Sequence, residues 1–96
     1  MIIQVVVRGR VQGVGYRAWT EMMAAAQGVE GWVRNRRDGS VEAVFAGAEE
    51  AVLAMIALCR AGPPGARVDA MDQRDADSAD LAMRRGGELF SVVETV

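Results

Sequence analysis

Between positions 8 and 19 the chain reads "RGRVQGVGYRAW", three arginines and three glycines in twelve residues. Glycine lets the backbone take positive φ, so successive N–H groups can converge into a nest that binds an anion. A helix beginning just after such a loop adds unsatisfied N–H donors and a partial positive charge. Arg17 stands where that helix would start, and its guanidinium could grip phosphate oxygens as a two-pronged fork. The combination suits a phosphate-sized dianion. A second polar residue stands apart. Asn35 is the only asparagine in the chain. Its amide can donate to one oxygen while accepting a proton of a water. Asparagine beside a turn is also common for purely local reasons.

Other chemistry is excluded by what is missing. The chain has no His, no Lys and a single cysteine, Cys59. There is thus no imidazole to act as a base near neutral pH, no Cys-rich metal site and no intrachain disulfide. A P-loop requires Gly-Lys-Ser/Thr, which cannot occur here. Gly13 to Ala18 fits the G-x-G-x-x-A form of the dinucleotide fingerprint, but the next strand runs into Asp38-Gly39, a hairpin signal, and not into a parallel βαβ series. A plain turn and an anion cradle both stay open on the loop alone.

The elements that must position these residues are legible from periodicity. Ile2 to Arg8 alternates, with Ile3, Val5 and Val7 on one face and Gln4, Val6 and Arg8 on the other, as a strand does. Trp19, Met22, Met23 and Ala26 fall at helical spacing and predict an amphipathic helix ended by Gly28. Val29 to Arg37 and Val41 to Ala46 predict an antiparallel hairpin turning at Asp38-Gly39. A second helix opens with Glu49 and Glu50 and carries Val52, Met55, Ile56 and Cys59 on its buried stripe, widened by Leu53 and Leu58. The run from Gly62 to Gly65 stops it. Ala66 to Gln73 predicts a fourth strand, Asp72 to Asp80 an acidic loop, and Leu89 to Glu94 a last strand. The order βαββαβ plus a short C-terminal strand specifies an α+β, ferredoxin-like split sandwich: an antiparallel sheet with two helices on one face. That fold hosts many functions and names none.

The 96 residues make a single domain, 1–96, with one core. The net charge of −2 conceals an asymmetry. Residues 1–37 sum to +4 and residues 38–96 to −6. The basic part suits an anionic ligand. There is no signal-like N-terminal segment and no apolar run of membrane-spanning length, so a cytoplasmic location and no membrane partner are expected. The cluster Arg34, Arg36, Arg37 raises RNA binding. RNA-recognition sheets, however, present aromatic residues on their strands, and Tyr16, Trp19, Trp32, Phe45 and Phe90 show no such pattern. No nucleic-acid partner is expected.

Three segments carry a family likeness. "GRVQGVGYR" at 9–17, "GVEGWVRNRRDGSVEA" at 28–43 and "GPPGARVD" at 62–69 resemble the acylphosphatases, small ferredoxin-like enzymes that hydrolyse carboxyl-phosphate mixed anhydrides. The resemblance implies that Arg17 binds the phosphate. It implies that the backbone N–H groups of Gln12, Gly13, Val14, Gly15, Tyr16 and Arg17 form the cradle, and that Asn35 orients the attacking water. Tyr16 stands where the family most often has Phe. Residues 72–88 match weakly. By the resemblance the substrate is a small acyl phosphate, inorganic phosphate is a product, and neither a metal nor another cofactor is required. A free-standing enzyme is expected, because the chain lacks the Cys/His-rich motifs of the larger hydrogenase maturation factors in which such segments also occur, and a monomer is expected. The alternative is a domain that binds phosphate or an anionic metabolite without turnover.

Overall fold

The computed structural model describes residues 1–96. The elements are β1 (Ile2–Arg10), α1 (Tyr16–Gln27), β2 (Glu30–Asn35), β3 (Val41–Ala46), α2 (Glu49–Ala61), β4 (Arg67–Asp75), α3 (Ser78–Leu81) and β5 (Phe90–Val92). The sheet order is β4-β1-β3-β2-β5. The first four strands pair antiparallel, and β5 joins β2 parallel, Gly31 opposite Phe90 and Val33 opposite Val92. The ferredoxin-like arrangement expected from the element order is the one observed, with a mixed sheet once the last strand is counted.

Alternation along the strands sorts their side chains between two faces. Ile3, Val5, Val7, Val33, Val41, Ala43 and Phe45 form one apolar core with Val52, Met55, Ile56 and Cys59 of α2. All four stripe positions of α2 are buried as its spacing predicts, whereas Leu53 is exposed. The stripe of α1 is rotated from its expected position. Tyr16, Thr20 and Ala24 are its buried residues, Trp19 and Met23 pack at the margin, and Met22 is 58% exposed. Two polar atoms make this possible. The Tyr16 hydroxyl donates to the Cys59 carbonyl (2.6 Å), and the Thr20 hydroxyl donates to the Tyr16 carbonyl (2.8 Å). With those hydrogen bonds made, burying the polar groups costs little.

The acidic stretch also differs from expectation. β4 runs on to Asp75, and Ser78–Leu81 forms a helical turn with a reciprocal cap between Asp77 and Asp80. This turn packs toward β3, and its Asp80 carbonyl accepts from the Trp32 indole N–H (2.7 Å). The sheet face away from α1 and α2 is therefore covered in part: Gln4, Val6, Trp32, Glu42 and Val44 are all buried. Glu42 there receives Gln4 (2.6 Å), Arg34 (2.7 Å) and Arg36 (3.2 Å). Burial alone would raise its pKa; hydrogen bonds from Arg36, Arg34 and Gln4 outweigh burial and hold the carboxyl below its ordinary value.

The hairpin pairs antiparallel as expected but is not a two-residue turn. Residues 36–40 connect the strands, the Gly39 amide donates to the Arg36 carbonyl (3.1 Å), and Gly39 alone takes positive φ. After β5 the chain continues beside β2. The Val93 amide donates to the Val33 carbonyl (2.9 Å), and the Val96 amide to the Asn35 carbonyl (3.2 Å).

Candidate active site

The loop between β1 and α1 must leave a strand and enter a helix within five residues, and it does so through left-handed Gly13 (φ 75°) and Gly15 (φ 80°). A Cβ at either position would meet nothing within 4 Å, so backbone conformation and not space demands glycine there. Gly15 is the N-cap of α1, and no side chain caps that end. None of the amides of residues 12–18 donates a hydrogen bond within the protein. Nor is there an acidic residue in the first turn of α1, whereas α2 has Glu49 and Glu50 and α3 has Asp80. The positive end of α1 is the one left for an outside anion.

A cavity of about 320 Å³ opens at this end, lined by Gln12, Gly13, Gly15, Tyr16, Arg17 and Asn35, with Val11, Ala18, Glu21 and Val92 around them. The arrangement of charge is selective. Most of the eleven arginines are engaged: Arg8 with Asp38 and Asp72, Arg34 and Arg36 with Glu42, and Arg60 with Gln73. Arg67, Arg74, Arg84 and Arg85 also pair with carboxylates. Arg10, Arg17 and Arg37 have no such partner, and of these only Arg17 lines a cavity. The Asn35 side chain likewise makes no hydrogen bond within the protein, while its backbone is held between Val41 of β3 and the Val96 amide. No group of three His, Cys, Asp or Glu comes together anywhere.

The six residues expected in the cradle divide by role. Gly13, Gly15 and Arg17 line the cavity. Tyr16 lines it too, but its ring turns into the core, 3% exposed, with its hydroxyl on Cys59. Burial, with the Cys59 thiol beside it, pushes that phenol well above its usual range. Val14 is not part of the lining, and its side chain packs against the core. The Gln12 side chain, missed by sequence reasoning as a structural tie, donates from Nε2 to the Arg36 carbonyl (2.7 Å) and the Ser40 carbonyl (2.9 Å). It fastens the loop to the hairpin that carries Asn35. Val92 and Glu21 were not anticipated either; the spacing of Glu21 four residues after Arg17 on one helix face was the available signal.

Residues 3–84 match the family model described as Acylphosphatase. The chain belongs to the acylphosphatase family. It is 63% identical over 95 residues to the acylphosphatase of Bradyrhizobium diazoefficiens, covering 99% of this chain and 96% of that one. The crystal structure of acylphosphatase from Bacillus subtilis superposes with a TM-score of 0.82 at 33% identity, covering 97% of this chain and 99% of that one. Full-length HypF, in its phosphate- and nucleotide-bound form, shares the fold over 98% of this chain and 12% of its own (TM-score 0.80, 23% identity). The acylphosphatase family resemblance of the three sequence segments thus holds across the chain, and the protein is an enzyme. The alternative of a phosphate- or metabolite-binding domain without turnover falls away. No helix is long and apolar enough to cross a membrane.

Proposed function

We propose that this acylphosphatase hydrolyses acyl phosphates to a carboxylate and inorganic phosphate, without a metal, by holding the phosphoryl group in the 12–17 cradle and aligning water with Asn35. One observation carries the proposal: an unpaired guanidinium, a run of free amides and an unengaged carboxamide from a distant strand all border one cavity. Arg17 and the amides supply the positive charge that phosphoryl transfer needs as charge spreads over the equatorial oxygens. The Asn35 side-chain oxygen accepts a hydrogen bond from the water and holds the water oxygen in line with the scissile P–O bond. The water oxygen bonds to phosphorus, the P–O bond to the acyl group breaks, and the carboxylate leaves with the electron pair. A carboxylate is a good enough leaving group to need no general acid, consistent with a chain that has no His. The water's proton passes to a phosphoryl oxygen.

Arg34 and Arg36 are occupied by Glu42 and Trp32 is 2% exposed, which supports a function without nucleic acid. The test is hydrolysis of acetyl and benzoyl phosphate in EDTA. Arg17→Ala should lose on the order of a thousandfold in kcat/KM, and Asn35→Ala should lower kcat more than it raises KM. Full activity in Arg17→Ala, or loss of wild-type activity in EDTA, would overturn the proposal.

A further inference from the structure

A second cavity of about 300 Å³ lies along the same helix, between α1 and β5. Its walls are Ala24, Ala25, Val29, Leu89 and Phe90, and Gly28 contributes no side chain. Leu89 is 72% exposed, an apolar side chain held at the rim. Glu21 borders both this cavity and the one at the cradle, and Val92 extends the β5 side of the groove into the first. The two cavities are therefore neighbours along one groove, polar at the N-terminal end of α1 and apolar towards its C-terminal end. At 1.5 Å per residue, Ala24 lies about 10 Å further along the helix axis than Arg17.

We infer that this groove receives the acyl part of the substrate, and that it selects acyl phosphates with an extended, uncharged hydrocarbon chain. The assignment rests on the cradle holding the phosphoryl group. With phosphorus there, the groove past Val92 and Glu21 is the apolar space that adjoins the cradle. An extended chain of roughly six to eight carbons, with C–C bonds of about 1.5 Å, spans the distance to Ala24 and Ala25. Glu21 sets the charge rule. It makes no ion pair, whereas Glu30 at the far end is engaged by Arg84 (2.6 Å). A second carboxylate on the acyl group would pass this unneutralised Glu21 and be disfavoured.

The experiment compares kcat/KM for acetyl, butyryl, hexanoyl and octanoyl phosphate, with monosuccinyl phosphate as the anionic counterpart of butyryl. A groove open on one side should contribute about twofold per methylene, roughly half the effect of full burial. Octanoyl phosphate should then exceed butyryl by on the order of tenfold. Ala25→Phe, on the helix surface, fills the apolar cavity and should lower the octanoyl-to-acetyl ratio severalfold; Leu89→Ala, at an exposed site, should lower it by a smaller factor. Glu21→Gln should bring monosuccinyl and butyryl phosphate closer together. A ratio that is flat with chain length, or unmoved in both Ala25→Phe and Leu89→Ala, overturns the groove assignment while hydrolysis of acetyl phosphate leaves the catalytic proposal standing. A wild-type enzyme that hydrolyses none of the series overturns both.

Discussion

Replacing Gln12 by Glu keeps the shape of the side chain and reverses its hydrogen-bonding sense. In the native structure Nε2 donates to the carbonyls of Arg36 and Ser40 at 2.7 and 2.9 Å. Each carbonyl also accepts one main-chain amide, from Gly39 and Arg36 respectively, so losing Gln12 orphans neither. Two hydrogen bonds at about 1 kcal/mol each put Gln12→Ala at about 2 kcal/mol of stability. In Gln12→Glu a carboxylate oxygen faces both carbonyls, and the cost rises to about 3 kcal/mol. For a domain of this size that lowers Tm by about 12 °C or more. The repulsion favours the protonated acid and raises its folded-state pKa. The variant is thus nearest wild type in acid, and it loses stability as pH rises through the ordinary carboxylate range, where the unfolded chain gives up its proton first. Activity reports the other consequence. The tie sets the cradle against the hairpin bearing Asn35, and a misplacement of about 1 Å costs roughly a hundredfold. Steady-state kinetics on acetyl phosphate should show kcat reduced tenfold to a hundredfold, with inhibition by inorganic phosphate little changed because Arg17 and the helix end remain. A folded Gln12→Glu enzyme with kcat within twofold of wild type would refute the coupling of loop to hairpin.

Three further outcomes are expected. Glu42→Gln leaves the half-buried Arg34 and Arg36 without their counter-charge and should cost about 2 kcal/mol, read by urea unfolding. Because the Glu42 carboxyl is held below its ordinary value, its contribution is present above the unfolded pKa and disappears as pH falls through the lower folded one, so acid denaturation should begin earlier where this network is weakened. Tyr16→Phe should cost about 1–2 kcal/mol with little change in kcat: the Cys59 carbonyl would ordinarily bond the amide four residues on, but residue 63 is proline and has none, so the Tyr16 hydroxyl is its partner. The Cys59 thiol, 1% exposed and pushed up by burial to about 12, should resist a thiol reagent at pH 7.5 in the native protein and react on unfolding.

Local pattern revealed β1, the hairpin and the stripe of α2, since each of these follows from a repeat of two or of 3.6. The rotation of α1 was hidden because Tyr16 and Thr20 read as polar until their partners, a carbonyl 43 residues away and one a turn earlier, are known. The parallel pairing of β5 depends on contacts between distant segments that no local pattern encodes. The turn at Ser78 was within reach: Asp77 and Asp80 have capping-box spacing, but the surrounding run of acids resembled a solvated loop. In the candidate site, glycine spacing drew attention to the loop and Arg17, family likeness added Asn35, and the structure brings them to one cavity. The tie from Gln12 escaped notice because its acceptors are backbone atoms in another element. The fate of Arg34 and Arg36 escaped it because Glu42 lies on a sheet face that only the distant 76–88 segment covers.

The borders of the sheet bear on whether this small enzyme can pair with copies of itself. An unpaired strand edge is a template on which another chain can add. Here β4 borders one side with Arg67, Asp69, Asp72, Arg74 and Asp75 among its nine residues. Charges of both signs at that density discourage an incoming strand. On the other side the edge strand is three residues long, and the run to Val96 folds back onto the remaining length of β2. The hydrogen bond that steadies the Asn35 backbone therefore also occupies a carbonyl that would otherwise recruit a neighbour. Loosening this last segment should expose the molecule to self-assembly at the same moment that it loosens Asn35, the residue proposed to bind the water, so that a fall in activity and the onset of association would share one local opening.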